Sequence, residues 1–382
     1  MIEAAYWLCV TAVIYIYAGY PALIKLFSVF PQKTVFEESF EPVVSILIAA
    51  YNEENDIRQT IQNKIDLDYP RDKLEVIVVS DESEDATEAI VESFSNAEIS
   101  VKLVRQQPRQ GKTSGLNMIV PQARGEILVF SDANSIYQAD ALRHLVKNFS
   151  DPETGYVTGK MIYVNEDGSI VGDGCSAYMK YENIIRSCET IIGSVIGVDG
   201  GIDAMRATLY KTLNADQLPD FVQPLKVVDQ GYRVAYESEA ILKEHTVSNS
   251  GQEYRMRVRV GLRAMWALHD MRHLMNPFRF GLFSFQLISH KLLRYFAFIP
   301  LVVLFVLNVL LLPENVLYQM LMVLQCLLYM LAYIGFLLRG HPNSSIFLTL
   351  PYYFLLLNIA SAHAFFRYLN KEKQVIWKPR VG

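Results

Sequence analysis

The run Ile127-Leu128-Val129-Phe130 closes on Ser131-Asp132-Ala133-Asn134. An apolar segment that ends on a carboxylate and a carboxamide two positions apart reads as a buried strand delivering ligands to something charged. Hard divalent cations such as Mg2+ or Mn2+ take oxygen ligands of this kind, often only one or two of them from protein. On an extended segment residues i and i+2 share a face, so the Asp132 and Asn134 oxygens are expected to point the same way. Two more apolar runs end in polar groups: Val44–Ala49 leads to Asn52-Glu53-Glu54, and Val76–Val79 leads to Asp81. This convergence of strand ends is the strongest site signal in the chain.

The elements that must position these ends alternate in type. Val44–Ala49, bounded by Pro42 and Asn52, suits a buried strand, and NDIRQTIQNKIDL follows with helical period. Val76–Val79 is a second strand, DATEAIVESFS a helix with Asp85 as the cap before Ala86, VKLVRQ a third strand, GKTSGLNMIV the start of a helix, and GEILVFSDAN a fourth strand. Strands alternating with helices predict right-handed βαβ units and a mostly parallel sheet, whose ligands bind off the carboxyl ends of the strands.

Several chemistries are excluded by what is missing. No GxxxxGK[ST] surrounds Gly111-Lys112-Thr113 and no GxGxxG follows the first strand, which disfavours a P-loop ATPase and a dinucleotide-binding dehydrogenase. Cys9, Cys175, Cys188 and Cys326 form no CxxC and no cluster with histidine, so they read as ordinary buried residues rather than a zinc site or disulfide framework. A formal net charge of −5 gives no sign of a nucleic-acid partner.

The pieces AAYNEE, VVSDESEDAT, GKTSGLN, VFSDAN, GGIDAMR and LPDFVQPLKVVDQGYRVAYE, in this order ahead of a set of apolar helices, resemble the membrane-embedded family 2 glycosyltransferases. This is the branch of cellulose, hyaluronan and poly-N-acetylglucosamine synthases. The resemblance runs from about Val43 through the last apolar segments. It implies a GT-A-type, Rossmann-like, mostly parallel sheet domain joined to interfacial and transmembrane helices. The implied reaction is inverting transfer from a UDP-sugar to a growing polysaccharide or lipid-linked acceptor. A single-sugar transferase to a lipid carrier or glycolipid is the first alternative, and a non-catalytic membrane scaffold the second.

Residue by residue, the resemblance makes Asp132 the main protein ligand of a Mg2+ or Mn2+ bound to the donor diphosphate. Asn134 stands where relatives commonly carry a second Asp. Asp81 matches the position that accepts from the nucleobase, and Tyr51 and Glu53 those that flank the nucleoside. Lys112 opens a helix, where amide groups also favour phosphate. Asp220 matches the general base that takes the acceptor proton, with Pro219 where relatives often carry another acid. Asp229, nine residues on, reads as a helix-end surface acid. Gly200, Gly201 and Asp203 match the loop beside the acceptor sugar, with a turn role equally open for Asp203. Processive synthases carry QxxRW; QEYRM keeps Gln252 and Arg255 but has Met256 for Trp, and Arg255 and Arg257 are expected to clamp the diphosphate.

Mean hydropathy is +0.17, and the excess sits in 1–28 and 295–369. Ala4–Phe27 reads as a signal anchor. Tyr295–Leu312, Val316–Leu338 and Ile346–Phe366 are about the length a bilayer needs, with turns at Pro313-Glu314-Asn315 and Arg339–Ser345. Val258, Leu262, Met265 and Trp266 recur at helical spacing among Arg255, Arg259, Arg263 and His273, as in basic amphipathic helices on an anionic leaflet. The expected organisation is a transmembrane helix in 1–28, a glycosyltransferase domain in 40–250, amphipathic interfacial helices in 251–294, three transmembrane helices in 295–369 and a tail in 370–382. Lys25, Lys33 and the basic residues of 255–294 place the domain on the cytoplasmic side of an inner membrane that the chain crosses several times. One apolar segment lies in the interface or re-enters, and a homo-oligomer or export partner completes any channel.

Overall fold

Every residue of β1 (Val44–Ala50) is buried, and its alternate residues feed two cores. Val44, Ile46 and Ile48 meet Ile57, Ile61 and Ile65 of helix Ile57–Ile65 and Leu142, Leu145 and Val146 of helix Ala141–Lys147. Leu47 and Ala49 meet Leu116 and Ile119 of helix Lys112–Ile119 on the other face. A strand covered on both faces must be apolar throughout, which is why its sequence is a run and not an alternation.

The computed structural model describes residues 1–29, 40–164, 174–245, 250–338 and 345–375. It divides into two compact units: Met1–Val29, Val171–Ile185 and Val247–Glu372 form one, and Phe30–Ile170, Arg186–Thr246 and Lys373–Gly382 the other. The break within helix Gly174–Ile192 differs from the single 40–250 domain expected from the sequence.

The second unit is a mixed α/β domain around one sheet of eight strands, ordered β3-β2-β1-β4-β7-β6-β8-β5. β2 (Leu74–Ser80), β3 (Ser100–Arg105) and β4 (Ile127–Asp132) run parallel with β1. These are the four strands read from the sequence. Sequence reading places no strand at β5 (Ile136–Tyr137), β6 (Thr154–Val164), β7 (Ile202–Arg206) or β8 (Arg233–His245). β7 is antiparallel to both β4 and β6, while β6 and β8 are parallel and shift register twice. Antiparallel insertion of β7 brings the start of that strand to the same edge as the end of β4, with Ile202 opposite Ser131.

The first unit is helical. Ile2–Phe27, Val316–Leu337 and Ile346–Leu369 are long and apolar enough to cross a membrane. The expected helix over Tyr295–Leu312 is instead Phe298–Leu311, bent by 56° from Leu282–Tyr295. At 14 residues it is about 21 Å long, short of a bilayer core of about 30 Å unless the bent pair acts as one span. The amphipathic stripe also finds a different partner. Val258, Leu262 and Met265 of helix Ser250–Asp270 are buried against Ala360 and Ala364 of Ile346–Leu369, so protein and not a leaflet covers that stripe. Among the described cysteines Cys188 is buried as expected, Cys9 is half-buried, and Cys326 is exposed on Val316–Leu337.

Candidate active site

Lys112, the first residue of its helix, reaches the end of β4, where its Nζ lies 2.6 Å from Asp132 Oδ1. Burial alone would lower the Lys112 pKa, but the carboxylates of Asp132, Asp220 and Asp203 outweigh it and hold the ammonium well above the ordinary lysine value. Lys112 also lines a small cavity together with Phe130, Tyr156, Gly200, Asp203 and Asp220. The pieces GKTSGLN, VFSDAN, GGIDAMR and LPDFVQPL, far apart in sequence, thus meet in one place.

Asp220 is the second residue of helix Pro219–Asp229, whose N-cap is Leu218 with no side-chain cap bond. Its Oδ1 is buried without a hydrogen-bond partner. Gly200 packs against the same carboxylate: its φ is +83°, and a Cβ there would collide with Asp220, lying 3.0 Å from Cγ. Glycine is thus required at this position twice over, by conformation and by space. Gly201 is confined by Leu242, and its carbonyl accepts from Tyr137 Oη at 2.8 Å. Asp203 is a strand residue of β7 and not part of a turn. It is 1% exposed, and neither carboxylate oxygen accepts a hydrogen bond, although the hydroxyls of Thr158 and Tyr156 lie beside it. Burial first, and the neighbouring Asp220 carboxylate with it, raise the Asp203 pKa to about 7.

The alternation expected to align Asp132 with Asn134 does not occur, because β4 stops at Asp132 and Ala133-Asn134 make a turn. Helix Ile57–Ile65 fixes this turn from below. Thr60 Oγ1 donates to the Ala133 carbonyl at 2.6 Å, and the fully buried Lys64 Nζ donates to the Ser135 carbonyl at 2.6 Å. Lys64 also lies 3.5 Å from the Tyr137 ring centre. Asn63 exchanges two hydrogen bonds with the Tyr137 backbone. The donor set of the turn suits a hard cation: the Asp132 side chain is 41% exposed, and the Asn134 carboxamide follows it. Among the described residues no group of three His, Cys, Asp or Glu could hold a metal ion. A cation here would therefore draw the rest of its oxygens from a bound diphosphate or water.

On the other side of β1, Asp81 is 2% exposed at the end of β2. Its oxygens accept from the amides of Gln110 at 2.9 Å and Gly111 at 3.0 Å and from the side chains of Gln106 and Arg109. This carboxylate therefore orders the loop that ends at Lys112. The Arg109 guanidinium lies 3.3 Å over the Tyr51 ring. Glu53 donates its amide to Thr87 Oγ1 at 2.8 Å, tying the end of β1 to the helix Thr87–Glu92. That helix starts one residue later than expected, with Ala86 at the cap; Asp85 accepts from the Thr87 amide at 3.0 Å and the Glu54 amide at 3.1 Å. Asp229 is exposed at its helix end, as the sequence implied. Arg255 and Arg257 belong to the helical unit, where Arg257 pairs with Glu253 at 2.8 Å and bonds Tyr353. The Gln252 side chain lies outside the described residues. Sequence reading missed Lys64, Arg109 and Tyr156; no motif marks them, and only the fold brings them in.

The glycosyl transferase family 2 model matches residues 45–192. These residues are a family 2 glycosyltransferase domain. The glycosyltransferase domain so delimited contains Tyr51, Asp81, Lys112 and Asp132, while Gly200 to Asp220 lie beyond the matched stretch. The chain is 31% identical over 156 residues to the beta-monoglucosyldiacylglycerol synthase of Trichormus variabilis, covering 40% of this chain and 33% of that protein. It is 27% identical over 223 residues to the poly-beta-1,6-N-acetyl-D-glucosamine synthase of Staphylococcus aureus, covering 56% and 53%. The matched part thus spans about a third to a half of these curated relatives. A solved structure, the mannosyltransferase PcManGT from Pyrobaculum calidifontis in complex with GDP-Man and Mn2+, superposes with a TM-score of 0.76 at 21% identity. The alignment covers 97% of this chain and 100% of that one, a likeness of fold.

Proposed function

We propose that this chain is an inverting glycosyltransferase that moves a sugar from a UDP-sugar to a polysaccharide or lipid-linked acceptor at the cytoplasmic face of a membrane. The observation that carries this reading is the gathering of Lys112 and Asp220 around one cavity, with Lys112 paired to Asp132 in a family 2 domain. A divalent cation, Mg2+ or Mn2+, would be held by Asp132 and Asn134, and when bound would neutralise charge gathering on the departing diphosphate. Lys112 adds a fixed positive charge beside the phosphates. Asp81 orders the loop that aims Lys112, and Tyr51 with Arg109 offers a flat surface to the base. Asp220 accepts the proton of the acceptor hydroxyl as that oxygen attacks the anomeric carbon, and a single displacement there inverts its configuration.

A second reading, one sugar placed on a lipid, is favoured by Met256 in place of the processive Trp and by the name of the Trichormus variabilis relative. The test is a panel of UDP- and GDP-sugars with Mn2+ and the full chain in lipid, reading nucleotide release and product mass. We expect release from a UDP-sugar and its loss in Asp132→Ala or EDTA. Release undiminished in both would remove the metal assignment, and release from GDP-sugars alone would change the donor. A ladder of products on a sizing column separates polymer from single transfer.

A further inference from the structure

We propose that Asp203 supplies a second carboxylate to the base, so that Asp203 and Asp220 together hold the proton taken from the acceptor. This rests on the glycosyltransferase reading above. The geometry has three parts. Asp203 is 1% exposed near the start of β7, and its carboxylate meets only the hydroxyls of Thr158 and Tyr156, neither in good hydrogen-bond geometry. Asp220 Oδ1 is also buried and unpartnered. Both side chains line the same cavity of about 10 Å3, room for about one water molecule. A buried carboxylate with so few good partners is costly to ionise, and two carboxylates in one site resist ionising together. The charged and titratable groups facing Asp203 are Lys112 and Asp220 from their helices, Asp199 ahead of β7, Tyr156 from β6 and Tyr137 from β5. Their balance, with burial, leaves Asp203 at about 7.

In the step itself the acceptor O–H bond breaks and its proton passes to Asp220. The oxygen forms its bond to the anomeric carbon, and the bond from that carbon to the phosphate oxygen breaks, its electron pair leaving with the nucleoside diphosphate. The proton is then shared with Asp203 and released to water. An isolated carboxylate, with a pKa of roughly 4, is a weak base at neutral pH. Asp203, whose carboxyl pKa is raised by burial to about 7, is matched to the working pH.

The test is the pH profile of turnover in wild type, Asp203→Asn and Asp203→Val. Wild-type turnover should fall about tenfold per pH unit below neutrality. In both variants the fall should begin roughly one to two units lower, with a plateau reduced about tenfold and donor KM nearly unchanged. An acid limb that stays in place in both variants overturns the proposal, whatever the plateau does. A second measurement needs no sugar: titration of the Asp203 carboxyl by carbon-13 NMR in the full chain. A midpoint near neutrality that moves in Asp220→Asn supports the pair, and one in the ordinary carboxylate range, or indifferent to Asp220, overturns it. Should wild type release no nucleotide while this coupled titration holds, the glycosyltransferase reading fails and the paired carboxylates stand.

Discussion

Asp220 has two possible roles that a single substitution separates. As an acid in the first turn of helix Pro219–Asp229 it would gain about 0.3–1 kcal/mol from the helix dipole. As the base it would contribute roughly 10²–10⁴-fold to turnover. Asp220→Asn keeps the shape, so Gly200 still packs against it, but it cannot take a proton. We expect turnover to fall by about that factor with UDP binding little changed, because Asp81 and Tyr51 stand at other strand ends. Near-wild-type turnover would reduce Asp220 to a helix-end charge. Of the residues at or beside the cavity, Asp132 and Lys112 follow local signals, a strand end and a helix start, whereas Asp220 and Gly200 were legible only through the family resemblance. The strand placement of Asp203 was not legible. Gly200-Gly201 ahead of it suggested a turn, whereas Ile202 and Ala204 face the core and Asp203 the cavity, a strand alternation visible in IDAMR but too short to trust without its partners β4 and β6.

At the scale of elements, helix Ile57–Ile65 holds the turn after Asp132 through Thr60, Asn63 and Lys64. Spacings of three and four place these on one helix face. Lys64 is the unusual member: burial holds its pKa well below the ordinary lysine value, and no carboxylate is bonded to it. Lys64→Met should leave the Ser135 carbonyl unpaired, a cost of about 1–3 kcal/mol, and loosen the turn that presents Asp132 and Asn134. We expect the Mn2+ concentration for half-maximal transfer to rise roughly tenfold, equivalent to about 1.4 kcal/mol. An unchanged metal titration would mean that the turn keeps its place without this helix. The parallel half of the sheet was legible for a physical reason: strands buried on both faces must be continuous apolar runs. β6 and β8 are broken by glycine, charge and register shifts, and their pairing depends on residues far away in sequence, so no local pattern announces them.

For the whole molecule, we propose a path of the chain through a membrane from the residues that share a level within the helical unit. The glycosyltransferase domain follows the Phe27 end of helix Ile2–Phe27. The other end of that helix meets the turn after Leu311: Tyr6 is buried with Leu311 and Tyr318, and Tyr318 Oη donates to Glu3 at 2.9 Å. Glu3 and Phe27 are about 36 Å apart along a helix, the thickness of a bilayer core or more. Glu314 therefore lies at the Glu3 end of that helix, and we expect the bent pair Leu282–Tyr295 and Phe298–Leu311 to act as one crossing. Val316–Leu337, 22 residues long, then leads away from that end. Lys373, four residues beyond Leu369, belongs to the domain's own unit and pairs with Asp216 at 2.5 Å. We therefore expect Ile346–Leu369, although long enough to cross, to lie in the interface instead. Its mean hydropathy is 1.4 against 2.1 for Val316–Leu337, and it covers Val258 and Leu262. On that path the basic residues Arg367, Lys371 and Lys373 are expected on the cytoplasmic side, as charge bias favours. With native cysteines replaced, Glu314→Cys should react with an impermeant maleimide in sealed right-side-out vesicles. Lys373→Cys should react only after detergent. Labelling at Lys373→Cys from outside would make Ile346–Leu369 a true span, and protection of Glu314→Cys would make the bent pair a re-entrant loop.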